Sequence, residues 1–393
     1  MSLQSGCSGE ASALAEKASS MFERIYGHPA MATGRAPGRI NLIGEHTDYT
    51  GGCVLPMATP QKTTVELGLR GDEEVHAHTH IPRREGDEAS FRLGAEARRG
   101  GWIDYIQGVT TALRNEGVAI AGFDADIESS VPAGSGLSSS AALSVALLRG
   151  LRGLFGLALS DIDIAKLGQK VETDFVGAPV GVMDPMAASL GDPHGALFID
   201  TRTLAHERIP FPEDRAGLLV IDSGISHANA GPEYRARRAE CQRIEEILHV
   251  EFLGDLRPSE IPRVPVLPEP LGRRLRHVVT ENERVRAAVS ALRAGDVERL
   301  GELLSASHAS MRDDYEVSLP DIDRLVSIAE ATPGVLGARL TGGGFGGCVI
   351  ALASRTETSD LAETAANIAR DYSSITGRAG QALIPAEGPA VAP

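Results

Sequence analysis

The sequence predicts an α+β fold of two domains, on three observations. The chain has 393 residues, and a domain commonly holds roughly 100–200. Apolar residues make up 42% and charged residues 23%, a globular composition that can build a large core without disulfide staples. Stretches of helical and strand period are mixed without the strict β-α-β order of a doubly wound sheet.

The elements follow in chain order. Ser12 to Tyr26 places Leu14, Ala18, Met21, Phe22 and Ile25 at helical spacing, and Gly27 supplies a stop. A Gly-rich stretch from Gly34 to Gly52 breaks any regular period. Thr63–Leu69 and Val75–Ile81 alternate as half-buried strands. Trp102–Asn115 reads as a helix and Phe123–Ser129 as a strand. A helix of small and apolar residues then runs from Ala141 to about Phe155. Ser160 with Asp163 forms a capping-box pattern that opens a helix to about Phe175. Strands near Ala196–Ile199 and Leu218–Ile221 precede a charged helix over Gly231–Val250. Asp255–Glu269 is rich in Pro and reads as a linker or excursion. Helices are expected at Leu271–Leu292, Asp296–Met311 and Pro320–Glu330. A strand, the run Gly342–Gly347, a strand at Cys348–Leu352, a helix over Thr358–Tyr372 and a short last strand complete the order. The tail Ala386–Pro393 reads as frayed.

Charge and cysteine content narrow the function. The net charge of −15 is a poor start for nucleic acid or an anionic membrane, which need a basic footprint. Arg98-Arg99, Arg237-Arg238 and Arg273-Arg274 are most simply solvated helix faces. The four cysteines, Cys7, Cys53, Cys241 and Cys348, form no CxxC pair, which fits a reduced, cytoplasmic protein. The first twenty residues lack the apolar core of a signal peptide, and no apolar run approaches the ~18 residues of a spanning helix.

Four segments carry chemistry. Gly134-Ser-Gly-Leu-Ser-Ser-Ser140 lies between a strand and a helix. Its glycines admit an anion, the helix start supplies free N–H groups, and the hydroxyls can add hydrogen bonds or a metal ligand. A phosphate cradle and a plain Ser-capped helix both fit that spacing. No Gly-Lys-Ser/Thr follows, so it is not a Walker A loop. In the second segment Arg39, Glu45, His46 and Asp48 lie within ten positions, a density of polar groups suited to a polyhydroxylated ligand. A glycoside hydrolase pair or a solvated turn also fits. In the third, Glu172 and Asp184 could hold Mg²⁺ and accept a proton. By itself, however, Asp184 before Pro185 reads better as a helix N-cap with proline at the first helical position. The fourth, Gly342–Gly347, has more glycine than a hairpin needs and allows close approach to a ligand or loop. Finally, His76, His78 and His80 alternate on one strand face. With no carboxylate or cysteine nearby in sequence, a solvated face is the simpler reading than a metal site.

Taken together and in order, these segments resemble the galactokinase family within the GHMP small-molecule kinases. Gly38-Arg-Ile-Asn-Leu-Ile-Gly-Glu-His-Thr-Asp-Tyr49 is similar to the galactokinase-specific signature. Pro132-Ala-Gly-Ser-Gly-Leu-Ser-Ser-Ser-Ala141 and Leu340-Thr-Gly-Gly-Gly-Phe-Gly-Gly-Cys348 are similar to two further ones. Supporting matches are Gly181-Val-Met-Asp184, Glu233 to Arg238, His277 to Asn282 and Arg312 to Glu316.

The resemblance implies an N-terminal S5-domain-2-like half, a C-terminal ferredoxin-like half and an active site in the cleft between them. The expected division is 1–205, holding sugar and ATP, and 206–393. It implies an ATP- and Mg²⁺-dependent kinase that acts on the anomeric hydroxyl of α-D-galactose. Asp184 would be the catalytic base or orienting carboxylate, and Arg39 would stabilise the transferring charge. Glu45, His46, Thr47, Asp48, Gly181 and Tyr234 would hold the sugar. Gly134, Ser135, Gly136, Leu137, Ser138, Ser139 and Ser140 would wrap the ATP phosphates, and Thr79 would lie near adenine. Ser140 and Glu172 would bind Mg²⁺. No obligate protein partner is implied. Pro185, Thr50 and Ser144 depart from the usual Gln, Asn and Glu, which leaves L-arabinose or galacturonate as alternative sugars. A non-catalytic galactose and ATP sensor is the alternative from another class; the intact Ala141-Ala142 after the serines favours an enzyme.

Overall fold

The computed structural model describes residues 20–80, 86–225, 231–358 and 360–384. Part of the first expected helix, the end of the Val75–Ile81 strand and the C-terminal tail lie outside them. What is described of the first helix is α1, Met21–Tyr26, capped by the Ser20 hydroxyl accepting from the Glu23 N–H.

The N-terminal half is an eight-stranded sheet with helices. Its strands are β1 (Ala32–Asn41), β2 (Cys53–Val54), β3 (Pro56–Leu69), β4 (Glu74–Thr79), β5 (Glu88–Arg92), β6 (Phe123–Ser129), β7 (Gly195–Asp200) and β8 (His206–Pro210). The path runs β2-β7-β3-β6-β4-β5, with β1 paired to β3 and β8 to β7. Only β4 and β6 run parallel; the other pairs are antiparallel. The helices are α2 (Ile103–Asn115), α3 (Ser139–Phe155), α4 (Asp161–Lys170), its π-helical continuation Val171–Val176, and α5 (Met183–Leu190). Their apolar faces meet the sheet in a core around Val65, Leu67, Ile106, Ala125, Leu147 and Ile164.

The Gly34–Gly52 stretch, read as aperiodic, contains β1. Its glycines serve packing: a Cβ at Gly34 would sit 1.9 Å from the Ala146 carbonyl oxygen of α3, so only glycine lets strand and helix approach this closely. β8 pairs with β7, so the first sheet continues past the expected division at 205/206.

The C-terminal half holds a four-stranded antiparallel sheet, β10-β11-β9-β12, from β9 (Ala216–Asp222), β10 (Val335–Thr341), β11 (Cys348–Ser354) and β12 (Gln381–Ile384). Between β9 and β10 run α6 (Pro232–Leu248), α7 (Leu271–Ala294), α8 (Val297–Ser310) and α9 (Pro320–Ala331); α10 (Leu361–Thr376) joins β11 to β12. That order is the ferredoxin-like βαββαβ arrangement with extra helices in its first crossover. The Pro-rich stretch after α6 carries two 3₁₀ turns, Leu253–Asp255 and Pro258–Arg263.

One apolar core spans both halves: Ile40, Leu42, Leu55 and Leu137 pack in the same cluster as Val220, Val285, Leu300 and Ile350. The end of β1 and the Gly-rich turn between β10 and β11 are thereby set side by side.

Candidate active site

The site starts at Arg39, near the end of β1. It is 3% exposed. Its Nε and Nη2 each donate to one Asp184 oxygen at 2.7 Å, and Nη1 donates to the Gly136 carbonyl at 2.5 Å. This bidentate geometry locks the carboxylate plane to the guanidinium plane. The Ser138 hydroxyl donates to the same Asp184. Asp184 is not the N-cap that its sequence context suggested. Val182 occupies that position, Asp184 falls in the first turn of α5, and no side chain caps this helix. Its carboxylate is therefore available to Arg39 and Ser138.

The Gly134–Ser140 loop leads into α3. Gly134, Gly136 and Ser138 have φ of 78°, 82° and 58°. The alternation curls the backbone ahead of the helix, and the first turn of α3 has no side-chain cap and no acidic residue. Uncapped N–H groups at the positive end of a 17-residue helix suit an anion. The loop residues divide by direction. Ser139, Ser140 and Gly134 line a cavity of about 380 Å³ with Thr79, Trp102, Tyr105 and Ile127. The Ser135 hydroxyl turns back to the Pro132 carbonyl, and Leu137 is fully buried in the shared core.

Glu172 sits in the π-helical turn after α4, 3% exposed, and accepts from the Ser140 hydroxyl at 3.1 Å. Burial and the Asp184 charge push its carboxyl up to about 7. Among the described residues no lysine or arginine forms an ion pair with it.

On the other side of Asp184 a narrow crevice is lined by Arg39, Glu45, His46, Asp48, Gly181 and Tyr234, and by Gly342 and Gly343 from the second half. Asp48 faces it without a hydrogen-bond partner among the described residues. Burial, Asp184 and Glu45 push its carboxyl up to about 7. Gly181 underlies it: a Cβ there would lie 2.0 Å from the Asp48 Oδ2. Glu45 lines the crevice, but its carboxylate is already engaged by the Gly342 N–H at 2.7 Å, by Arg339 at 3.2 Å and by Asn41. Thr47 is the sequence-assigned sugar residue that the crevice lacks. It is fully buried, and its hydroxyl lies 2.9 and 2.7 Å from the Gly44 and Cys53 carbonyls, which it serves within its own turn.

His46 stands in the left-handed region at φ 62°. Burial, then His277, drops its pKa to about 3, so the ring is neutral. Its Nε2 lies 3.2 Å from the Gly343 carbonyl, which can only accept, so Nε2 carries the proton. Nδ1 then accepts from the Tyr49 hydroxyl at 2.8 Å, Tyr49 from Tyr315 at 2.9 Å, and Tyr315 from the Cys241 thiol at 3.1 Å. Each member has one proton to give, so fixing the first donor orients the whole chain.

Sequence reasoning missed Arg339, Tyr315, Cys241 and the Ser138–Asp184 contact. Arg339 had a signal: it is the one charge in the apolar run of β10, and a charge buried at 0% exposure needs a partner. It donates to the Asn41 and Leu42 carbonyls at 3.0 and 2.9 Å as well as pairing with Glu45.

Three family models match the chain. They are the galactokinase galactose-binding signature at residues 20–68, the GHMP kinases N terminal domain at 104–192 and the GHMP kinases C terminal domain at 288–373. A galactokinase of Chloroflexus aurantiacus is 41% identical over 376 residues, covering 94% of this chain and 95% of that one. The crystal structure of Lactococcus lactis galactokinase complexed with galactose superposes with a TM-score of 0.85 at 34% identity, covering 92% of this chain and 95% of that one. A mevalonate kinase structure shares the fold at a TM-score of 0.62 and 19% identity, covering 89% of this chain and 97% of that one. The signature that spans Arg39 to Asp48, the two kinase domains and similarity over nearly the whole length lead to one conclusion: this chain belongs to the galactokinase family of the GHMP kinases.

Proposed function

We propose that the protein transfers the γ-phosphoryl group of ATP to the anomeric hydroxyl of α-D-galactose, giving galactose 1-phosphate and ADP. The carrying observation is the Arg39–Asp184–Ser138 cluster at the junction of a loop–helix phosphate cradle and a polar crevice. Phosphoryl transfer needs alignment and charge neutralisation more than covalent help. In this reading Asp184, held in one plane by Arg39, orients the sugar hydroxyl and accepts its proton as the bond to phosphorus forms. Arg39 offsets charge on the phosphoryl oxygens. Asp48, His46 and Tyr234 hold sugar hydroxyls, while Glu45 and Thr47 shape the turn that carries them. Ser139, Ser140 and Gly134 receive the phosphates, and Thr79 lines the nucleotide cavity.

Ser140 and Glu172 fit a divalent cation. A buried carboxylate with no basic partner among the described residues, beside a hydroxyl at 3.1 Å, is a hard-oxygen pair lacking positive charge. Mg²⁺ bound there would neutralise the phosphates. The chain would then divide into a sugar- and nucleotide-binding half and a ferredoxin-like half, with the boundary after β8, near residue 210, instead of the expected 205/206. Three free, buried cysteines among the described residues support a reducing, cytoplasmic setting. No helix among the described residues is long and apolar enough to cross a membrane.

Purified protein with ATP, Mg²⁺ and a panel of galactose, L-arabinose and galacturonate tests the reading. The highest kcat/KM is expected for galactose. A higher value for another sugar reassigns the substrate, and no turnover of any, with galactose and ATP still bound, favours a sensor.

A further inference from the structure

The outer face of the β4–β6 strand pair holds a group of side chains that the kinase chemistry does not use. β4 and β6 run parallel with His78 opposite Asp126. His78 Nδ1 lies 2.9 Å from one Asp126 oxygen, and His80 Nε2 lies 2.9 Å from the other. The two rings pack edge to face at 4.7 Å between centroids. The three donor atoms fall within 4.8 Å of one another, the one such group of three His, Cys, Asp or Glu among the described residues. The carboxylate that seemed to be missing along the sequence is thus supplied by the neighbouring strand.

The neighbouring Asp124 differs. Arg70 donates to it at 2.9 Å and His28 lies at 2.9 Å, so it already has a permanent cation. Among the described residues Asp126 has only the two imidazoles. Its side chain is 6% exposed, while those of His78 and His80 are 18% and 29% exposed, so the cluster borders solvent on its histidine side. The surroundings are acidic as well: burial together with Asp124, Asp126 and Glu88 holds the Tyr26 hydroxyl above its ordinary range.

We propose that His78, His80 and Asp126 form a binding site for a borderline transition-metal dication of the Zn²⁺ type. Two imidazoles and one carboxylate with an open fourth position match that class and not Mg²⁺, which prefers oxygen. Tetrahedral zinc with bonds of about 2.0–2.1 Å sets its donor atoms roughly 3.3 Å apart. On binding, the 2.9 Å contacts would open by a few tenths of an ångström, and each ligating nitrogen would give up the proton it directs at Asp126, leaving the ring's one proton on the distal nitrogen. The position has a consequence. Thr79 lies between the two histidines and Ile127 follows Asp126, and both point to the opposite face, where they line the nucleotide cavity. The cation would cross-link the two strands directly behind that cavity.

The test titrates chelator-treated full-length protein with Zn²⁺ in competition with a chromophoric chelator, and follows thermal unfolding with and without the metal. One equivalent binding at micromolar affinity or tighter is expected, with a raised Tm. The H78Q/H80Q variant is expected to lose about tenfold or more in affinity and the Tm gain, and to keep its kinase activity. H28Q/H76Q is the control and should bind like the parent. Far-UV circular dichroism checks that H78Q/H80Q folds; if it does not, H80Q alone, at the more exposed ring, takes its place. Absence of stoichiometric binding, or binding unchanged in the histidine variants, overturns the proposal.

Discussion

Replacing Gly181 by alanine isolates the placement of Asp48. Gly181 has no left-handed φ, so alanine brings no backbone strain. Its Cβ would lie 2.0 Å from Asp48 Oδ2 and 2.3 Å from Cγ, whereas real Cβ contacts stay above 3.0 Å. The carboxylate must therefore retreat by about 1 Å, and a misplacement of that size in a binding group costs about 100-fold in rate. That corresponds to about 2.7 kcal/mol of lost transition-state stabilisation. Asp48 is half-buried and has room to swing into the crevice, so the effect on folding stability should stay within about 1 kcal/mol. The assay is ADP release at varied galactose, with Tm as the folding control. In an Asp48→Ala background the two short contacts are gone and only a tight 3.0 Å approach to the Cβ of position 48 remains, so Gly181→Ala should then change kcat/KM by no more than about twofold. Full activity in the single variant, or an undiminished loss in the double variant, would refute the reasoning.

Three further outcomes follow from the same geometry. Asp184→Asn should lower kcat by at least about a thousandfold while galactose still binds, checked by calorimetric titration beside turnover. The carboxyls of Glu172 and Asp48 sit near 7 in the folded protein, above ordinary carboxyl values. The folded state thus binds extra protons, and metal-free stability should decline as pH rises from about 4 to 7. Tm measured without Mg²⁺ should drop across that window, Glu172→Gln should flatten the drop, and Mg²⁺ should protect more strongly at pH 8 than at pH 6. Arg339→Leu leaves the buried Glu45 carboxylate without its cation and should cost about 3–5 kcal/mol in urea unfolding, part of which Glu45→Gln restores.

The legibility of the sequence differs from residue to residue. Arg39, Ser140 and Asp184 stood out because their motifs, taken in order, are specific; Glu172 lies in none of those motifs and entered as a second carboxylate beside Asp184, and the structure gathers all four. Local rules misplaced Asp184, because Asp-Pro is a capping signal whether or not the carboxylate has a stronger partner elsewhere; Arg39 and Ser138 are that partner. β1 escaped detection because Gly34 and Gly38 erase the alternation that marks a strand, although they are there for close packing against α3 and the loop. The histidine face was visible from its period of two. Asp126 was not, because periodicity names a face and says nothing of which strand lies alongside. Thr47 was grouped with the sugar residues because it sits among them in the motif, but its hydroxyl closes the turn.

The seam at the end of β1 bears on how the molecule melts. Arg339, Thr341 and Gly342 all bond across it to Asn41, Leu42 and Glu45, below a cluster of aliphatic side chains drawn from both ends of the polypeptide. Neither end can come apart without baring ionic groups and grease from the other. Calorimetry should accordingly register a single endotherm, and fragments cut near position 210 should regain structure only when mixed.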